Sequence, residues 1–145
     1  MHFHFSKMHG LGNDFVVIDG RETGLRLTPD QVRLVADRRL GVGCDQLIIM
    51  EAANDASVGA DIFMRIYNPD GSESEACGNA TRCVASLLMA ESGRGDTQIE
   101  TLRGVLTGEA ADGGDVTIDM GAAQLEWHEV PLAEALDTLH LPIDL

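Results

Sequence analysis

The sequence has 145 residues, of which 44% are hydrophobic and 23% charged, a composition typical of one soluble globular domain. Its net charge of −14 at pH 7 would repel phosphate backbones, and no apolar run is long enough to cross a bilayer, so we expect neither a nucleic-acid nor a membrane partner. The cysteine count of 3 favours reduced thiols, and the first residues lack the apolar core of a signal peptide, so we predict a cytoplasmic protein.

The first half of the chain alternates predicted strands with one helix. Alternating or β-branched apolar residues predict strands at residues 2–8, 15–19, 44–51 and 60–68. The glycine-containing stretch "HGLGND" between the first two strands is predicted to be a loop. Thr28, Pro29 and Gln31 form a capping pattern that predicts a helix ending at about residue 39 or 40.

The second half is organised around a helix predicted at residues 78–92. A turn at residues 68–71 precedes it, and Gly93 ends it. Short strands then follow at residues 97–102, 104–111 and 115–120, joined as an antiparallel meander. Residues 131–139 are predicted as a short helix. The fold class is therefore α+β, with one buried helix packed against a largely antiparallel sheet.

Cys77 lies at or beside the N-cap of the central helix. The first N–H groups of a helix have no internal partner and carry partial positive charge, which stabilises a thiolate or a bound carboxylate. A lone cysteine is more often a buried apolar residue, but this position favours a functional thiol. Cys83 points to another side of the helix and is predicted to be core, whereas Cys44 fits either interpretation.

Four amides, Asn13, Gln46, Asn68 and Asn79, lie beside glycines at predicted strand or loop ends. Each alone is more often structural, but together they would suit a zwitterionic ligand that needs neutral donors and acceptors. His2 and His4 lack the further ligands of a metal site, so no metal is predicted. The glycine-rich stretches also lack the context of a nucleotide-binding loop.

Four segments together resemble the diaminopimelate epimerase family: "SKMHGLGNDFVVIDG" (6–20), "GVGCDQL" (41–47), "RIYNPDGSESEACGNATRC" (65–83) and "VTIDMG" (116–121). They occur in that family's order. The resemblance implies a cofactor-independent enzyme that interconverts LL- and meso-diaminopimelate in lysine and peptidoglycan synthesis. It also implies a fold of two similar halves, each a sheet curled around a central helix, with the active site between them.

The resemblance also implies site residues. The first catalytic cysteine corresponds to Cys77, and the substrate-binding positions correspond to Asn13, Gln46, Asn68, Gly78 and Asn79. The backbone at Gly78 and Asn79 would receive the substrate α-carboxylate. One position departs from the family pattern: Ala80 stands where a glycine is usual, and its methyl group is expected to crowd the helix start slightly.

The family's second catalytic cysteine lies in its C-terminal half. We therefore interpret residues 1–121 as an N-terminal epimerase-like domain and residues 122–145 as a crossover toward a missing half. The chain is expected to be inactive alone and to associate as a homodimer or with that half. Two alternatives stay open: a non-catalytic domain of the same fold that binds itself or a partner, and a related isomerase of the proline-racemase or phenazine-pathway type.

Overall fold

The computed structural model describes residues 3–54, 59–130 and 132–142. The strands in these ranges are Ser6–Gly10 (β1), Asn13–Asp19 (β2), Gln46–Glu51 (β3), Ile62–Tyr67 (β4), Glu73–Ser74 (β5), Asp96–Thr101 (β6), Gly104–Ala110 (β7) and Val116–Asp119 (β8). The α-helices are Pro29–Ala36 (α1) and Gly78–Ser92 (α2). None of the helices in the described residues is long and apolar enough to cross a membrane.

The strands form one sheet in the order β1-β2-β3-β4-β6-β7-β8, with β5 paired to β4. Among the strands of the described ranges, two pairings are parallel, β2 with β3 and β4 with β6. A helix connects the strands of each parallel pair, α1 in the first case and α2 in the second. The remaining pairings are antiparallel. The predicted α+β class, with a largely antiparallel sheet, is confirmed.

The sheet curls around α2. Strands from both ends of the strand order, β1 and β2 at one end and β6, β7 and β8 at the other, contact this helix. The close approach of β7 to α2 requires a glycine at position 108, because a Cβ added there would lie 2.8 Å from the Cβ of Ala85 on α2. The helix predicted at residues 78–92 has the predicted bounds and lies at the centre of the domain.

Two apolar layers cover the two faces of the sheet. Along β2, Phe15 and Val17 belong to an inner cluster against α2, whereas Val16 and Ile18 belong to an outer cluster that includes Val32 of α1. Because both faces are covered, β2 is a continuous apolar run instead of an alternating one. The two clusters fix the orientation of α2 inside the curl and of α1 outside it.

Helix α1 begins as predicted and ends earlier. The Thr28 hydroxyl accepts from the Gln31 backbone N–H, and the Gln31 side chain accepts from the Thr28 N–H, which completes the capping box. The helix ends at Ala36, not at residue 39 or 40. The Asp37 carboxylate accepts from two following backbone N–H groups, each at 2.7 Å, and turns the chain out of the helix.

The predicted loop "HGLGND" is instead the tip of a hairpin. β1 begins at Ser6 and extends to Gly10, and β2 begins at Asn13, so only Leu11 and Gly12 form the turn. Both have positive φ, 54° and 87°, as a two-residue hairpin turn of type I′ requires. The short strand β5 was not predicted; it pairs with β4 over only two residues.

The segment after β8 contains one short 3-10 helix, Trp127–Glu129, within its described residues. The helix predicted at residues 131–139 is wrong for residues 132–139, which form turns and coil, and residue 131 lies outside the described residues. Two of the leucines that would share one side of that helix are exposed, Leu136 at 38% and Leu139 at 68%. Without a surface to cover, apolar spacing alone does not stabilise so short a helix.

Candidate active site

The site begins at Cys77, the residue immediately before α2. Its backbone is extended (φ −151°, ψ 109°), and its carbonyl accepts from the Thr81 backbone N–H at 2.9 Å and the Thr81 hydroxyl at 2.8 Å. The Cys77 side chain makes no capping hydrogen bond, so the first N–H groups of α2 receive no acceptor from it. The predicted position at the N-cap is confirmed.

Asn13, the first residue of β2, brings its side-chain amide to the cysteine. Its Oδ1 lies 3.8 Å from the sulfur of Cys77 and 3.4 Å from Nδ2 of Asn79. Its Nδ2 donates to the Asp45 carboxylate at 3.1 Å. Two of the predicted amides therefore contact each other, and one of them contacts the candidate thiol.

Two charged residues that the sequence analysis missed hold this pair of amides. The Arg82 guanidinium donates to Oδ1 of Asn79. The Asp45 carboxylate also accepts from the Asp14 backbone N–H at 3.0 Å and from Arg38 at 2.8 Å. The sequence signal was weak: Asp45 is the single charged residue of "GVGCDQL", and Arg82 is the single charged residue of "CGNATRC" (77–83).

Gln46 and Asn68 form a second group. Nε2 of Gln46 donates to Oδ1 of Asn68 at 3.1 Å, and Nδ2 of Asn68 donates to the Ser72 hydroxyl at 3.1 Å. Oε1 of Gln46 is buried and has no hydrogen-bond partner among the described residues. Asn68 also opens the predicted turn, since its carbonyl accepts from the Gly71 N–H at 2.9 Å.

The strand register places these amides on one face at one end of the sheet. Gln46 lies opposite Phe15 in the β2–β3 pair, and Asn13 precedes Phe15 by two residues, so all three face the interior. The antiparallel register of β3 and β4 then puts Asn68 opposite Gln46. The structure therefore brings the predicted amides to the end of the sheet where α2 begins, in two separate hydrogen-bonded groups.

An open cleft of about 510 Å³ lies against the start of α2. One wall consists of the first turn of α2, with Cys77, Gly78, Asn79 and Arg82, and the other consists of residues 116–118 and Met120 on and after β8. The cleft thus combines a thiol, the N-terminus of a helix and one cation. These groups can bind a carboxylate and exchange a proton with an adjacent carbon.

The two other cysteines of the sequence are both among the described residues, and both are buried. Cys83 lies in the inner cluster, as predicted, and Cys44 lies in the outer cluster. Burial raises the pKa of both thiols and therefore disfavours their reactive thiolate forms. The chain offers one thiol at the cleft, Cys77, which is partly exposed.

Ala80, the departure from the family pattern, does not line the cleft. Its side chain is 1% exposed and belongs to the inner cluster with Val84 and Phe15. The methyl group therefore fills space beneath the first turn of α2. It lies on the side of the helix start that faces the core, away from the candidate site.

Comparison with known sequences identifies close relatives. The sequence model of the family described as Diaminopimelate epimerase matches residues 5–126. A diaminopimelate epimerase of Rhodospirillum centenum is 56% identical over 138 residues, which cover 95% of this chain and 47% of the relative. One of Rhizorhabdus wittichii is 52% identical over 144 residues, covering 99% of this chain and 49% of the relative. The chain therefore spans about half the length of the curated relatives it matches.

Solved structures share the fold at lower identity. A hydroxyproline epimerase of Agrobacterium vitis superposes with a TM-score of 0.57 and 19% identity, covering 79% of this chain and 40% of that one. A phenazine biosynthesis protein of Bacillus anthracis gives a TM-score of 0.52 at 24% identity, covering 80% of this chain and 38% of that one. These structural similarities support the fold alone. The match to the family's sequence model and the identity to its members show the family. The chain belongs to the diaminopimelate epimerase family.

Proposed function

We propose that this chain provides one half of the active site of an amino-acid epimerase of lysine biosynthesis that interconverts LL- and meso-diaminopimelate. Cys77 would transfer the α-proton. The observation that carries the proposal is the position of this thiol: it lies at the N-terminus of α2, in a cleft, 3.8 Å from the amide oxygen of Asn13. The family relatives at 56% and 52% identity support the choice of substrate.

The reaction proposed is a two-base inversion without a cofactor. A thiolate on one face of the α-carbon removes the proton and becomes a thiol, while a thiol on the other face delivers a proton and becomes a thiolate. The α-proton of an unactivated amino acid is very weakly acidic, so the carbanion requires electrostatic stabilisation. The backbone N–H groups of Gly78 and Asn79, with the dipole of α2 behind them, are suited to hold the α-carboxylate and spread its growing charge.

The second amide group would bind another part of the zwitterion. Oε1 of Gln46 is a buried acceptor with no donor among the described residues, and a substrate ammonium is a donor that would satisfy it. Asn68 is held beside it by the 3.1 Å hydrogen bond from Nε2 of Gln46. Neutral amides are appropriate here because they can hold both signs of charge without binding either group too tightly for release.

The second thiol of this mechanism would come from outside the chain. Cys44 and Cys83 are 2% and 6% exposed and belong to the apolar clusters, so neither can face Cys77 across a substrate. We propose that residues 122–145 connect residues 1–121 to the half that supplies this thiol. Met120, 46% exposed, lines the cleft, and Leu11, 90% exposed, lines an adjoining groove that shares Arg82 with it. Both apolar side chains would be covered by that half or by a second copy of this chain.

A chimera tests the proposal. This chain would replace the corresponding segment of the Rhodospirillum centenum relative, to which it is 56% identical over 138 residues. We expect the chimera to epimerise LL-diaminopimelate, and Cys77→Ala to lower its turnover about 10²–10⁴-fold. Cys83→Ala is the matched control: it removes a thiol from the same helix, but from the core side, and should keep turnover.

The unfused chain is the second arm of the experiment. Incubated with LL-diaminopimelate in deuterium oxide, it should not invert the α-carbon, because it presents a base to only one face. It should not exchange the α-proton either, because the contacts that the other half would supply to hold the substrate are missing. Exchange that disappears in Cys77→Ala would show that the half-site is competent alone. A folded chimera without turnover would favour a non-catalytic domain, and a chimera whose turnover survives Cys77→Ala would refute the assigned role of Cys77.

A further inference from the structure

Four polar side chains form one directional chain of hydrogen bonds around Cys77. Arg82 donates to Oδ1 of Asn79, Nδ2 of Asn79 lies 3.4 Å from Oδ1 of Asn13, and Nδ2 of Asn13 donates to Asp45 at 3.1 Å. The chain therefore runs from a guanidinium at one end to a carboxylate at the other. Every donor in it points toward Asp45.

The chemistry of the two ends makes this direction obligatory. A guanidinium has only donors, so Asn79 must turn its oxygen toward Arg82. An ionised carboxylate has only acceptors, so Asn13 must turn its NH₂ group toward Asp45. Both constraints give the same result for Asn13: its oxygen faces away from Asp45, toward Nδ2 of Asn79 and the sulfur of Cys77, 3.8 Å away.

Asp45 is itself held firmly. Its carboxylate accepts from the Asp14 backbone N–H at 3.0 Å and from Arg38 at 2.8 Å, and its own backbone N–H donates to the Asp14 carbonyl at 2.9 Å. Arg38 also binds the Asp14 carboxylate at 2.6 Å, which ties the start of β2 to the residue before β3. The acceptor that fixes Asn13 is therefore part of the sheet framework.

We propose that Asp45 is a positioning residue that fixes the amide of Asn13 so that an acceptor, and not a donor, faces the Cys77 thiol, with Arg82 enforcing the same direction through Asn79. The proposal rests on the proposed function only in taking Cys77 as the reacting group. An acceptor beside the sulfur favours the S–H form and directs its proton, whereas an NH₂ group there would favour a thiolate. Asp45 would thus keep an acceptor in place beside the Cys77 thiol and align its proton.

Alkylation of the unfused chain tests this without substrate or a second half, so its outcome is independent of epimerase activity. Each native variant is treated with limiting iodoacetamide at neutral pH, and labelling of each cysteine is followed by mass spectrometry. In Asp45→Ala the NH₂ group of Asn13 loses its acceptor, and only the long 3.4 Å contact to Nδ2 of Asn79 still holds the amide. The amide can then turn its NH₂ group to the sulfur part of the time. We expect Cys77 to react about 2- to 10-fold faster, the range for one net hydrogen bond, while buried Cys83 stays unreactive.

Asp61→Ala is the matched control. Asp61 accepts from a backbone N–H, a neutral side chain and an arginine, as Asp45 does, through contacts of 2.8 Å to Gln98, 2.7 Å to Thr97 and 2.8 Å to Arg94. These contacts lie away from Cys77, at the other end of α2. Asp61→Ala should leave the Cys77 rate unchanged, although it removes a comparable set of hydrogen bonds.

A double-mutant cycle distinguishes an effect of Asp45 on the orientation of the Asn13 amide from a general loosening of the structure. In an Asn13→Ala background Asp45 has no amide to orient, so adding Asp45→Ala should not change the Cys77 rate further. An unchanged rate in Asp45→Ala, an increase that persists in the Asn13→Ala background, or a parallel increase at Cys83 would overturn the proposal. If Asp45→Ala fails to fold, Asp45→Leu replaces it: the side chain fills a similar volume and offers the Asn13 amide no acceptor, so it should also raise the rate, and an unchanged rate is again decisive.

Discussion

The two ends of α2 are built differently. At the C-terminal end Gly93 adopts the left-handed conformation (φ 71°), and its N–H donates to the Met89 carbonyl at 2.9 Å. The Ser92 hydroxyl donates to the Leu88 carbonyl at 2.8 Å. At the N-terminal end the Cys77 side chain makes no capping hydrogen bond, and the first turn faces a cleft. One end is closed by its own chain, and the other is open.

The side chains around the two ends differ as well. Near the C-terminal end, Arg21 pairs with Glu91 at 2.9 Å and Arg94 pairs with Asp61 at 2.8 Å. At the N-terminal end the groups beside Cys77 are the neutral amides of Asn13 and Asn79. A helix start without a side-chain cap forgoes about 0.5–2 kcal/mol of stability. Where a local rule is broken in this way, the site is expected to be functional.

The largest expected effect concerns the closed end. Leu88 is 6% exposed and belongs to the inner cluster, so Leu88→Ala should lower the free energy of unfolding by about 2–5 kcal/mol. Leu87, its neighbour, is only partly buried and should lose less when truncated. Denaturant melts of the two variants measure the difference. Under native conditions neither change should alter the rate at which Cys77 is alkylated.

A loss below about 0.5 kcal/mol for Leu88→Ala would place this residue on the surface and contradict the packing of α2 described here. A change in native Cys77 reactivity would instead show that the two ends are coupled. Either result would weaken the contrast between a structural end and a functional end.

The next prediction applies one substitution to both ends. Gly93→Ala should cost about 1–2 kcal/mol, because its left-handed backbone (φ 71°) disfavours a side chain. Gly78 has no such conformation, and a Cβ there would meet only the sulfur of Met120, at an ordinary 3.5 Å. Gly78→Ala should therefore change stability by less than about 0.5 kcal/mol. Its methyl group lies in the cleft, so it should lower turnover of the epimerase chimera.

Thermal or denaturant melts and the epimerase assay together check this pair. We expect Gly93→Ala to lose stability and keep turnover per folded molecule. We expect Gly78→Ala to keep its stability and lose turnover. If Gly78→Ala retained full turnover, the first turn of α2 would not contact the substrate. If Gly93→Ala were neutral, the left-handed cap would not contribute to closing the helix.

The parts of the fold set by local chemistry could be predicted from sequence. The bounds of α2 follow from its apolar spacing, from Gly93 and from the non-helical Cys77, all of which are neighbours in sequence. The capping box at Thr28 is equally local. The family resemblance then identified Cys77 and the amides, and the structure brings those amides to the end of the sheet where α2 begins. The role of these residues in catalysis stays a prediction.

The parts that depend on distant partners could not be predicted. The bond from Asn13 to Asp45 joins residues 32 positions apart, and it exists only because β2 and β3 pair in parallel at one register. The early end of α1 depends on the Asp37 carboxylate turning back to the chain, although the next residues favour helix. The leucine spacing after residue 131 predicted a helix, but the described residues there have no apolar surface to cover.

The smallest expected effect concerns acid stability at the closed end. Partial burial alone would raise the pKa of the Asp61 carboxyl, but hydrogen bonds from three donors outweigh it and hold that pKa below its ordinary value. The donors are the Gln98 N–H, the Arg94 guanidinium and the Thr97 hydroxyl. A lowered pKa means that this stabilisation is fully present above the unfolded-chain value of about 3.9 and is lost as the pH falls through the native value.

Asp61→Asn should therefore reduce the fall in the free energy of unfolding on the acid side of neutrality. The expected reduction is about 0.2–1 kcal/mol, because the Asp61–Arg94 pair is partly exposed. The measurement is the free energy of unfolding from denaturant melts at a series of pH values below neutrality. Asn79→Ala is the comparison at the open end: its amide does not titrate, so its effect should be the same at every pH. If Asn79→Ala changed the acid slope as much as Asp61→Asn did, the distinction between an end of α2 closed by ion pairs and an open end with neutral amides beside Cys77 would be wrong.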